Sequence, residues 1–129
     1  MNKRHNPANI AAPAGPYSHG VEVPPGSRLL YIAGEVGVLP DGSVPGTIEG
    51  QAEACWQNVE AVLASAGMTV ADLTKITTYL VEPKDLAAAG AARAKHLGDA
   101  RPASATVIVK ALVSPSLLIE IEATAAASA

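Results

Sequence analysis

The chain contains no phenylalanine, one tryptophan and three tyrosines. Its core must therefore be built from Ala, Val, Leu and Ile, which are small and mostly branched. Cys55 is the single cysteine, so no intrachain disulfide can form. It falls within an apolar helical pattern and reads as a buried thiol. No apolar run approaches the ~20 residues that span a membrane. The stretch Met1 to Asn9 is polar and lacks the apolar segment of a signal peptide. These two absences point to the cytoplasm and away from a membrane. Positive charge is scarce too: nine Lys and Arg stand against twelve Asp and Glu, a net charge of -3. Without a basic stripe, a nucleic-acid partner is excluded. His5, His19 and His96 are scattered, with no Cys or acid at ligand spacing, so no metal site is expected. No glycine-rich phosphate loop follows a strand. The Gly15-Pro16-Tyr17-Ser18 stretch is not a nucleophile elbow. No cofactor is implied.

What remains is one domain over residues 1–129, of which 49% are apolar and 16% charged. Residues 1–12, interrupted by Pro7, read as an extended N-terminal arm. A β-type run covers Arg28 to Ala33. Ile48, Ala52, Cys55, Val59, Val62, Leu63 and Ala66 recur at the helical period, with Thr47 placed to cap the start and Gly67 the end. The β-branched stretch Thr74 to Val81 is a strand that Pro83 breaks. Asp85 to Leu97 is a second helix, with Leu86, Gly90, Ala94 and Leu97 inward. Strands follow over Ser104 to Leu112 and Leu117 to Ala125. This order predicts an α+β fold, a mixed β-sheet with two helices packed on one face. The other face, with apolar Val107 and Val109, calls for cover from a partner subunit.

Glu120 and Glu122 lie two apart on the last strand, on one side and about 7 Å from each other. The opposite side is wholly apolar and belongs to the core. By spacing alone the two carboxylates read as solvated. Tyr17 follows a Gly-Pro turn that sets its angle, and by itself reads as packing. His19 is a titratable group close by.

Three stretches taken in order resemble the Rid family (YjgF/YER057c/UK114): Gly15-Pro16-Tyr17-Ser18-His19-Gly20, Arg101-Pro102-Ala103-Ser104, and Ile119-Glu120-Ile121-Glu122-Ala123. The resemblance runs from about residue 12 to residue 126. It implies a chorismate-mutase-like homotrimer with a small-molecule cleft between subunits. It also implies hydrolysis of an imine or enamine to a carbonyl compound and ammonia. Glu120 matches the glutamate that holds the attacking water, and Tyr17 a residue lining the cleft. A backbone N–H near Thr106 would stabilise developing charge.

Ala33-Gly34-Glu35 stands where the family has Ser-Gly-Gln, and the glycine suits a close backbone approach. Thr106 stands where some relatives carry a reactive cysteine. The main departure is Ser104. The deaminases have an arginine there, whose planar fork pairs with the substrate carboxylate. Its loss implies a substrate without an α-carboxylate, so that neutral or cationic ligands are favoured. The alternative is a non-enzymatic ligand-binding or regulatory trimer. The sequence does not place Arg28, Arg93 or Arg101 relative to the cleft. Arg101 is three residues from Ser104 and so expected on the opposite strand face.

Overall fold

The computed structural model describes residues 1–129. Strands β1 (Lys3–His5) and β2 (Gly20–Glu22) form an antiparallel pair that holds the N-terminal arm. The main sheet contains β3 (Arg28–Val36), β4 (Leu73–Leu80), β5 (Ala103–Ile108) and β6 (Ile119–Ala127). Its order is β3-β6-β4-β5. Only β4 and β5 are parallel; β6 runs antiparallel to both β3 and β4. The parallel pair needs a crossover, and helix α2 (Leu86–Leu97) supplies it. Helix α1 (Ile48–Ser65) joins β3 to β4.

Strand alternation divides the sheet into two faces. Ile76, Leu80, Ile119, Ile121, Ala123 and Ala125 point to the helices and are buried with Ala52, Cys55, Trp56, Val59 and Leu63 of α1. The other face carries Tyr31, Lys75, Thr77, Tyr79, Glu120, Glu122 and Thr124, all exposed or half-buried. The helical spacing of α1 fixes its inward stripe, and the Thr47 hydroxyl accepts from Gly50 N at 3.1 Å to start the helix. Gly67 follows its end at φ +68°, a conformation open to glycine.

Several elements differ from the sequence reading, and three of the differences bear on the site. β3 extends to Val36 through a bulge between Ile32 and Glu35. β5 ends at Ile108 and not at Leu112, because its partner β4 ends at Leu80 and leaves nothing to pair with. Helix α2 is rotated from the expected face. Ala89 and Leu97 are buried, Ala94 is exposed and Leu86 remains 47% exposed. An alanine-rich helix carries a weak apolar signal, so polar contacts orient it. His96 lies between Glu53 and Glu60 of α1, and Arg93 reaches β5.

Candidate ligand cleft

The residues singled out in the sequence fall into two groups. The first is built on β3 and β6. Three side chains of α1, spaced along one face, hold the backbone around it. Asn58 Nδ2 donates to the carbonyls of Val36 and Val38 at 3.1 and 3.2 Å. The Cys55 thiol donates to Glu35 O. Gln51 donates to Pro45 O and Ser116 O and accepts from Leu118 N. These contacts fix the bulged end of β3 and the entry to β6, and so the height of Glu120.

The Glu120 carboxylate lies directly over Gly34. A Cβ at residue 34 would stand 2.1 Å from Oε2 and 2.8 Å from Cδ. Only glycine leaves room for this side chain in its present place. Glu120 is half-buried and takes part in none of the chain's ion pairs. Burial raises the Cys55 thiol to about 12, with the negative charges of Glu35 and Glu120 adding to the effect. This cysteine is inert and marks a negative potential at this end of the sheet. Ala33 is exposed beside Gly34. Glu35 is in register with Ile121, on the core side, and not beside Glu120. Glu122 accepts a hydrogen bond from the Tyr79 hydroxyl, which the sequence reading did not anticipate.

The second group is built on β5, an outer strand. Ser104 and Thr106 are in register with Ile76 and Thr78, so their side chains face the helices. Val109 N donates to Leu80 O, continuing the parallel ladder. By its alternation the amides of Thr106 and Ile108 point to the unpaired outer edge. Tyr17 is brought to the start of this strand. Ser18 N donates to Pro102 O at 3.1 Å, and its hydroxyl donates to Arg101 O at 2.6 Å. The Tyr17 ring packs edge-on against His19, at 5.9 Å between centroids. His19 contacts Ala11 O through Nε2 and serves as a wall for the tyrosine.

Arg93 of α2 joins this group, with Nη1 3.3 Å from the Ser104 hydroxyl. A cation therefore stands beside the position where the family arginine is missing. The expectation of a neutral or cationic ligand rested on residue 104 alone, and Arg93 adds a positive charge beside it. Arg101 donates to Gly98 O and Ala100 O, and Arg28 to Ser128 O and Ala66 O; both bind backbone instead. An arginine set in a run of alanines is the only sign of Arg93 in the sequence.

A profile of the family described as Endoribonuclease L-PSP matches residues 8–127. The chain belongs to this family, the Rid family. YyfB of Yersinia pestis, a protein of the conserved Rid family, superimposes with a TM-score of 0.84 at 37% identity, over 96% of this chain and 97% of that one. The RutC family protein PH0854 of Pyrococcus horikoshii is 34% identical over 119 residues, 91% of each chain. The 2-iminobutanoate/2-iminopropanoate deaminase of Escherichia coli is 32% identical over 92 residues, 70% of each chain.

In this Rid protein the two groups lie on opposite faces of one sheet. Glu120 is on the open face near β3; Ser104, Thr106 and Arg93 are on the helix side at β5. Glu120 is on β6, the inner strand next to β3, and β5 is the outer strand beyond β4.

Proposed function

We propose that this chain forms a homotrimer that binds a small molecule where the β3 border of one copy meets the β5 border of the next, and that it hydrolyses an imine or enamine there. The observation that carries this reading is the Glu120 carboxylate, held over Gly34 with no counter-ion of its own. In the hydrolysis, the oxygen of water bonds to the carbon of the C=N group. Glu120 accepts the proton released and returns it to the nitrogen. The hydroxyl proton of this adduct then passes to the nitrogen, by way of Glu120, as the C–N bond breaks, giving a carbonyl compound and ammonia. The edge amide of Thr106 is a donor for charge that develops on the reacting group, and Tyr17 closes the wall.

One chain cannot bring Glu120 and the β5 group to the same ligand, because the sheet separates them. A head-to-tail contact between unlike borders does so and closes into a ring. Exposed apolar side chains on both outer strands support it: Leu29 at 52% and Tyr31 at 75% on β3, Val107 at 40% on β5. The matched family also includes a deaminase of imino acids at 32% identity. RNA cleavage, which the family description names, is disfavoured by the net charge of -3 and the lack of a basic stripe.

The test combines mass and chemistry. Sedimentation equilibrium is expected to give three times the 13.0 kDa chain mass. Ammonia release from freshly generated imines should fall by about 100-fold in Glu120→Gln, as for loss of a general base. A monomer at micromolar concentration would refute the shared cleft. Ammonia release unchanged in Glu120→Gln would remove Glu120 from the reaction, and no release above background by the wild type would leave a binding trimer, the alternative class.

A further inference from the structure

Arg93 is half-buried, and its contacts are incomplete. A guanidinium carries five N–H donors. Here Nη1 meets only the neutral Ser104 hydroxyl, at 3.3 Å. Nε is buried with no partner at all. No carboxylate pairs with this charge, although Glu53 and Glu60 lie on the facing helix; both are taken up by His96, and Glu53 by Lys95 as well. A half-buried cation with unmet donors is costly unless an anion completes it.

A cavity of about 70 Å³ adjoins the group. Arg93, Thr78 and Thr106 line its polar side, and Leu86, Ala89 and Ile121 its apolar side. Gly90, one helical turn before Arg93, also borders it. A Cβ there would meet nothing within 4 Å, so packing does not require this glycine. The space matches roughly two waters. That is room for a carboxylate group, with the rest of the ligand left outside it, and none for a nucleotide or sugar phosphate.

We propose that Arg93 is the specificity-determining cation of the cleft, and that it binds the carboxylate of a small 2-oxo or 2-imino acid from the helix side of β5. Ser104 leaves room for it: an arginine at 104 would set two guanidinium groups against each other. The inference rests on the cleft reading above, but it assigns the opposite ligand charge to that drawn from residue 104 alone. Thr106 lines the same cavity as Arg93, and its edge amide is two residues along β5 from Ser104.

Calorimetry on the full chain with 2-oxobutanoate and its neutral amide tests this. The wild type should bind the acid at least about 10-fold more tightly than the amide, as one charge-assisted pair predicts. Arg93→Met should abolish that preference. Arg93→Lys, which keeps the charge and loses the fork, should retain part of it and serves as the reading if the methionine variant fails to fold. The double variant Arg93→Met with Ser104→Arg should regain acid binding. Equal binding of acid and amide by the wild type, or an undiminished preference in Arg93→Met, overturns the assignment. Acid binding that depends on Arg93, without ammonia release from the matching imine, leaves the anchor standing and refutes the hydrolytic reading. A folded protein that binds neither compound overturns both.

Discussion

The two halves of the candidate cleft are built by different means. At the β3–β6 border an acid is held by local geometry: a bulge, a glycine with no room for a side chain, and a helix that binds the backbone behind it. At the β5 border a cation is supplied from a distance. Arg93 arrives on α2, across the turn that ends the helix, and meets Ser104 through a single long hydrogen bond. The acidic half is rigid because its contacts are to main chain. The basic half depends on how α2 is rotated, which alanines do not determine. The backbone of one half therefore tolerates little change, and the other half can be exchanged.

The largest effect should come from the scaffold of the acidic half. A Cβ on Gly37 would lie 2.7 Å from Cα and Cβ of Gln51, and neither can move away. Gly37→Ala is expected to destabilise the protein by about 3 kcal/mol, as for overpacking against backbone. Gly90→Ala, in the basic half, meets open space and should stabilise by up to about 1 kcal/mol, because a helix-interior glycine is entropically unfavourable. Equilibrium urea unfolding of the two variants decides the comparison. Equal stabilities would mean that the two halves are equally plastic.

Gly34→Ala should separate stability from function. The group in the way is the end of the flexible Glu120 side chain, so the fold accommodates it at less than about 1 kcal/mol. The displaced carboxylate, however, no longer holds its position, and ammonia release should drop by about 10- to 100-fold. Acid binding at Arg93 should be unaffected. Turnover at the wild-type rate would show that Glu120 does not act from its present place.

A smaller effect should come from the contact that orients α2. His96 stacks on Trp56 with centroids 5.9 Å apart and bridges Glu53 and Glu60 at 2.7 and 2.6 Å. Burial disfavours its charge, but the hydrogen bonds to Glu53 and Glu60 outweigh this and hold its pKa above the ordinary 6.5. A raised histidine pKa contributes stability that is complete below 6.5 and lost as pH rises through the folded-state value. Stability should thus decline over that alkaline window, and His96→Gln should flatten the decline. Loosening α2 should also weaken acid binding by a few-fold. Urea midpoints measured from about pH 5.5 to about pH 9, in parallel with calorimetry, test both. A wild-type profile identical to that of His96→Gln would remove His96 from any role in setting the helix.

Much of this was legible in the chain itself. The period of α1 and its Thr47 cap, the alternation that separates Glu120 and Glu122 from Ile119 and Ile121, and the buried Cys55 are all local patterns, set by 3.6- and 2-residue repeats. The family was legible for the same reason, from three short stretches in fixed order. The tertiary structure decided what no local period encodes. The bulge that places Gly34 beneath Glu120 is backed by Cys55 and Asn58 of α1, which bind the backbone at that end of β3. The end of β5 depends on where β4 stops. The charge beside Ser104 depends on the rotation of an alanine-rich helix, fixed by His96 against two glutamates of α1. Read along the chain, position 104 had lost a cation. Arg93, eleven residues earlier, restores one because a helix and a strand joined by a short turn pack side by side.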